Sequence, residues 1–69
     1  MLAQEIYSSH TDQNDVPDWT YTIGVNGVTK IDSETENFGD HGLGWFHVYQ
    51  GEKLYVTVAA RSVARAIWL

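Results

Sequence analysis

The stretch GWFHVYQGEKLYVTVAA, residues 44–60, constrains the fold more than any other part of the sequence. It predicts two strands joined by a two-residue turn at Gly51, because glycine in the first central position suits a type II′ turn. One face of this two-stranded ribbon, with Phe46, Val48 and Tyr55, is apolar, and so is the other. Both faces therefore need other residues packed against them. The second apolar face would be covered by another part of the chain, by a second copy of it or by a different protein. The face predicted to lie on the core is the richer one: Trp45, Tyr49, Leu54, Val56 and Val58.

A second hairpin is predicted upstream of the first. The segment WTYTIGV (19–25) alternates aromatic and β-branched residues with threonine and glycine, which is the period of a strand. Asn26-Gly27 is the dipeptide that type I′ hairpin turns prefer, and VTKI (28–31) would return along the first strand. The apolar pattern does not close in that register, so a bulge or a longer loop is expected.

The last ten residues, ARSVARAIWL (60–69), allow two interpretations. As a helix they would form one apolar stripe with Val63, Ala66 and Ile67, but a helix this short is marginal without strong packing. As a turn followed by a strand they would close a small barrel, which is the interpretation we prefer. The fold is therefore predicted to be mainly β, a small antiparallel sheet or partly open barrel of four or five strands. The alternative is an α+β fold with a short C-terminal helix over 60–69.

Polar segments connect these elements within one small domain, residues 1–69. LAQEIY (2–7) predicts a short first strand or a helical turn. SSHTDQNDVPD (8–18) predicts a polar loop or arm, since it is polar throughout and ends in a proline motif. DSETENFGDHGLG (32–44) predicts an acidic connection that contains glycine.

Size and composition exclude several classes of protein. A chain of 69 residues without cysteine has a thin core and no disulfide framework. Its start has neither the basic residues nor the apolar run of a signal peptide, and no segment approaches the roughly 20 apolar residues of a membrane span. We therefore expect a cytoplasmic protein that does not bind a membrane.

Charge is distributed unevenly along the chain. Residues 1–40 contain eight acids and one base, which leaves −7, whereas residues 41–69 contain one acid and three bases, which leaves +2. Nucleic-acid binding relies on clustered lysine and arginine, so four such residues in the whole chain make it an improbable activity. An acidic surface suits a partner protein with a basic surface, or mimicry of nucleic acid, although it also keeps a small protein soluble.

Motifs for catalysis or metal binding are not evident. The chain has no cysteine nucleophile, no serine in a nucleophile-elbow context and no phosphate-binding loop. The histidines, His10, His41 and His47, lack the spacing of a metal site, and each has an ordinary structural explanation. We predict no enzyme, no catalytic residue, no cofactor and no metal.

One resemblance extends over residues 19–69. WTYTIGVNGV followed by GWFHVYQGEKLYVTVAARSVARAIWL resembles short all-β proteins of bacteriophage genomes, in which two such hairpins precede a closing strand. The same layout is similar to the SH3-like or Sm-like small barrel. The resemblance implies an SH3-like partly open barrel with a binding or regulatory role, and it transfers no functional residue.

The preferred functional prediction is a protein–protein interaction module. It would be a small acidic inhibitor or modulator of phage type that acts on a host or defence protein, for example like an anti-CRISPR or a nucleic-acid mimic, and a homodimer is predicted. A homo-oligomeric virion component and a single-strand nucleic-acid-binding barrel, which would stack bases on exposed aromatics, are the alternatives. The predicted partner-binding residues are four acids and three apolar anchors: Asp32, Glu34, Glu36, Asp40, Phe46, Val48 and Tyr55.

Overall fold

The computed structural model describes the backbone of residues 1–38 and 41–69 and the side chains of residues 1–34 and 44–69. The prediction of a mainly β chain is confirmed. Among the residues described, no helix is long and apolar enough to cross a membrane. In chain order the elements are β1 (Leu2–Ser8), β2 (Thr20–Thr22), β3 (Lys30–Phe38), β4 (His41–Gln50), β5 (Lys53–Ala59), a 3₁₀ turn (Ala60–Ser62) and β6 (Val63–Trp68).

All six strands join one antiparallel sheet, in which β1 has neighbours on both edges. β3 pairs with the first residues of β1 and β2 with its last residues, so these two strands share one edge. β6 follows the other edge, because Ala3 pairs with both Ile31 and Trp68. The order β6-β1-β3-β4-β5 curls into a half-barrel whose edge strands are β5 and β6. The predicted partly open barrel is confirmed.

The C-terminal segment forms a strand and not a helix. After the 3₁₀ turn, β6 pairs antiparallel with β1, and Val63 and Ala66 pack against the core. Pairing gives this short segment hydrogen bonds and burial that an isolated ten-residue helix would lack. The alternative fold with a helix over 60–69 is therefore wrong.

The core is small and lies on the inner side of the curled sheet. Half-buried aromatic and aliphatic side chains surround it and include Trp19, Tyr21 and Val63. A core of this size in a 69-residue chain supports only a few kcal/mol of stability, roughly 3–5 kcal/mol. Its buried apolar members are Ala3, Ile6, Val28, Ile31, Phe46 and Val48.

A one-residue bulge in β5 reverses the face that was predicted to be buried. The first two rungs after the turn follow the predicted register, but the next joins Val48 to Val56 and leaves Tyr55 as an extra residue. An extra residue shifts the period-2 alternation, so Val56 faces the same side as Val48 and the buried Phe46. Trp45 is instead 41% exposed. The prediction that Trp45, Tyr49 and Leu54 face the core is wrong.

The Asn26-Gly27 turn forms as predicted, but the strands around it differ from the prediction. Both residues have positive φ, 54° and 79°, and the Val28 N–H donates to the Val25 carbonyl at 3.1 Å. The strand before the turn keeps only the three residues of β2, because Gly24, at φ 90°, turns the chain away. The chain after the turn enters β3, which pairs with β1 and β4 and not with β2.

The acidic segment 32–44 is mostly strand, which corrects its prediction as a connection. β3 continues to Phe38 and β4 begins at His41, while Asp40 lies outside the described residues. The charged part of β3 follows the fully buried Ile31 and pairs along its length with β4. Pairing with an apolar neighbour thus overrides the low strand propensity of aspartate, asparagine and glutamate.

The polar loop between β1 and β2 is held by its own side chains. The Asp12 carboxylate accepts hydrogen bonds from the N–H groups of Asn14 and Val16, at 2.7 and 3.0 Å. At the end of β1 the buried Ser8 hydroxyl accepts one from the His10 N–H at 3.0 Å. Such local bonds are why short polar side chains favour turns over strands.

Gly51 opens the β4–β5 turn with φ 64°, and nothing lies within 4 Å of the position that a Cβ would take. Backbone strain alone therefore opposes a side chain there. Gly51→Ala is expected to lower the free energy of unfolding by about 1 kcal/mol. Gly51→Asn should lose less, because asparagine tolerates the left-handed region. Denaturant titration measures both, and equal losses would contradict the explanation.

Candidate functional site

The predicted partner-binding residues whose side chains are described lie in three places: on the outer face of the sheet, at the rim of its inner side and in the core. Asp32 and Glu34 lie on the outer face of the sheet, and Tyr55 lies at the rim of its inner side. Glu36 belongs to β3 by its backbone, and its side chain and the whole of Asp40 are outside the described part. Only the first two are brought together.

Phe46 and Val48 are in the core and not on the surface. Val48 is fully buried, and Phe46 is 6% exposed and stacks against the Trp68 ring at a centroid distance of 5.8 Å. Neither side chain can contact a partner without opening the fold. The prediction of two apolar surface anchors followed from the wrong core face, so both are removed from the candidate site.

Three cross-strand rungs organise the outer face of β3 and β4. In order along the strands, Lys30 pairs with Tyr49, Asp32 with His47 and Glu34 with Trp45. Paired residues share a face, so a charged row stands beside an aromatic and imidazole row. His47 is in turn paired with Thr57 of β5. We call the five side chains toward the β3–β4 end the acidic–aromatic face: Asp32, Glu34, Trp45, His47 and Thr57.

Hydrogen bonds across three strands fix the geometry of this face. The His47 ring links Thr57 to Glu34, with Nδ1 at 3.1 Å from the threonine Oγ1 and Nε2 at 2.9 Å from the carboxylate Oε2. Asp32 lies 3.5 Å from the amino group of Met1. The side chain of Glu34 is 57% exposed despite its bond to His47. One carboxylate is thus held in place and still available to an external cation.

The order of hydroxyl, imidazole and carboxylate is also that of a nucleophile–base–acid triad. Acyl-transfer chemistry further needs a substrate pocket and donors aimed at a developing oxyanion. Thr57 lies on the exposed outer face, and the groove described next is lined by none of these three residues. The row orients Glu34 and ties β3, β4 and β5 together, which is the usual role of cross-strand polar pairs.

A small groove lies on the other side of the sheet, between β2, the Asn26-Gly27 turn and the bulge of β5. Its walls are the rings of Tyr21 and Tyr55, which meet edge to face at 6.2 Å, and the buried Val28 contributes to its lining. The volume is about 60 Å³. Since small-molecule sites are several times larger, the groove suits one side chain of a partner.

Among the described side chains, no three or more His, Cys, Asp or Glu residues are grouped so that they could hold a metal ion.

The chain matches no family model, no curated protein and no solved structure.

The sequence predicts the acids of the candidate site but not its aromatic half. Trp45 is predicted in the core but lies on the outer face, and the error comes from the bulge at Tyr55, which no local signal marks. His47 is a strand histidine that bonds to its cross-strand neighbours Thr57 and Glu34. The acids are predicted from the concentration of negative charge in residues 32–40, within a segment expected to be a connection and not a strand.

Proposed function

We propose that the protein is a non-enzymatic protein–protein interaction module whose acidic–aromatic face contacts a basic surface. The observation that supports it best is the direct pairing of Glu34, 57% exposed, with Trp45, 41% exposed. A carboxylate beside an indole is the combination that receives a guanidinium or ammonium group, through charge and through the face of the ring. Exposed tryptophan also recurs among the residues that dominate binding energy.

Two further observations support a cationic partner. On the same outer face the Lys30 Nζ already lies 4.8 Å above the Tyr49 ring, so the face accepts a cation over an aromatic ring. The acids are concentrated in the first 40 residues, eight against one base. That imbalance gives a negative potential that would steer a basic partner and repel nucleic acid.

The groove at Tyr21 and Tyr55 offers a second contact point. Tyr55 and Val25 are 55% and 50% exposed at its rim. Because both line the same groove, they form a shared exposed apolar surface and are not isolated surface residues. We propose that it receives one apolar side chain of the same partner or of another. In biological terms, the module is proposed to act in the cytoplasm as a small acidic inhibitor or modulator of phage type.

Neutralising the two described acids of the face tests the proposal. Asp32→Asn/Glu34→Gln is expected to weaken binding of an arginine-rich peptide about tenfold at low salt, since two close charge pairs are lost. The affinity of the unaltered protein should also fall as salt is raised. Isothermal titration measures both effects.

The matched control is Asp18→Asn/Glu52→Gln, which changes the net charge equally at exposed positions away from the face. It should retain most of the affinity. If the control weakened binding as much as the test variant, net charge and not the acidic–aromatic face would explain the interaction.

A further inference from the structure

We infer that a second copy of this chain can supply the cation, with Arg65 of one copy seated between Glu34 and Trp45 of the next. This inference rests on the proposed function, because it names a partner for the same face. The inference predicts heterologous self-association, in which the Arg65 patch of one copy contacts the Glu34–Trp45 patch of the next.

Arg65 is placed for such a contact. It belongs to β6, where its neighbour Ala66 packs against the core, so Arg65 lies on the outer side and is exposed. No carboxylate lies within 4.0 Å of it among the described side chains. It is thus an accessible guanidinium without an ion pair in the described part of its own chain.

The geometry prevents Arg65 from reaching the acidic–aromatic face of its own copy. Arg65 pairs with Tyr7 at one end of β1, whereas Asp32 pairs with Leu2 at the other end, and Glu34 lies two residues further along β3. At about 3.3 Å per residue, the two groups are separated by roughly 20 Å along the strands. The contact must therefore be intermolecular.

The receiving side has the complementary chemistry. The Trp45 ring is 41% exposed and stands opposite the exposed carboxylate of Glu34, so a guanidinium could stack on the ring and donate to the carboxylate together. The Lys30–Tyr49 contact shows the same kind of cation–ring packing two rungs away.

Because the donor and the acceptor patches differ and lie far apart, each copy can contact two others. Such contacts close into a ring or continue as an open chain.

The experiment is light scattering behind a sizing column, at low salt and over a wide concentration range up to millimolar. The mass of the unaltered protein should rise above 7.8 kDa with concentration and return to it at high salt. Arg65→Glu and Glu34→Arg should each raise the concentration needed for association about tenfold. Lys53→Glu, which changes the charge as Arg65→Glu does at the exposed first residue of β5, should not.

Mixing the two reversed variants is the decisive arm. Arg65 of the Glu34→Arg variant can then meet Glu34 of the Arg65→Glu variant, so association should reappear in the mixture. A constant mass of 7.8 kDa for the unaltered protein, or no rescue on mixing, would overturn the inference. If peptide binding at the face were nevertheless retained, the proposed function would stand and only the second copy would be rejected.

Discussion

Replacing Phe46 by alanine is expected to lower the free energy of unfolding by about 3–5 kcal/mol. The ring is 6% exposed and loses both its core contacts and its stack on Trp68. A chain of this size has about that much stability in total, so the variant should be largely unfolded at room temperature. Denaturant titration followed by circular dichroism measures the loss.

The control for this prediction is the neighbouring residue. Trp45→Ala removes a larger ring from the outer face, where it is 41% exposed. Its cost should stay within about 1 kcal/mol, as for surface positions, while its effect on peptide binding should be clear. Comparable destabilisation by Trp45→Ala and Phe46→Ala would mean that the two faces of β4 have been assigned wrongly.

Local sequence signals predicted the turns and the closing strand well. The positive φ values at Asn26, Gly27 and Gly51 are where the turn rules place them, because few residues adopt that region. The strand after the 3₁₀ turn was predicted from its length, which is too short for a stable helix. These features depend on neighbours in sequence and are readable without the fold.

The bulge at Tyr55 could not be predicted in the same way. Val48 and Val56 share a rung only because one extra residue is accommodated on β5. A regular ladder and a bulged one fit the same sequence, and the choice depends on whether Phe46 and Val48 or Trp45 and Tyr49 fill the core. In the structure Phe46 and Val48 share the core with Ala3 and Ile6 of β1, and Trp68 of β6 stacks on Phe46, and none of these contacts is between neighbours in sequence.

The candidate site follows the same division. Asp32 and Glu34 are predicted as partner-binding acids because they belong to an acidic segment, and the structure places both on the outer face. The prediction of Trp45 as a core residue failed with the bulge, so the pairing of Glu34 with Trp45 was found only in the structure. The site arises from the pairing of the consecutive strands β3 and β4 along a segment that the sequence predicts as a connection.

The acidic–aromatic face therefore depends on the position of β3 in the sheet, and Ile31 is the residue that fixes this position. Ile31 is fully buried and pairs with Ala3 on β1 and with Val48 on β4, at the point where three strands meet. The residues that follow it in β3 are polar or charged up to Phe38. Asp32 and Glu34 are held in the strand because Ile31 anchors the pairs with β1 and β4 that come directly before them.

Ile31→Ala is accordingly expected to cost about 2–5 kcal/mol, and Ile31→Val about 0.5–1.5 kcal/mol, in proportion to the buried groups removed. Val25→Ala, at a position that is 50% exposed, is the matched control and should cost well under 1 kcal/mol. Denaturant titration gives the three values. Amide exchange in the less damaging valine variant should show earlier opening of β3 than of β5, since β3 loses its anchor. If Ile31→Ala were as stable as Val25→Ala, the acidic row would not owe its position to the core, and the link between core and binding face would fail.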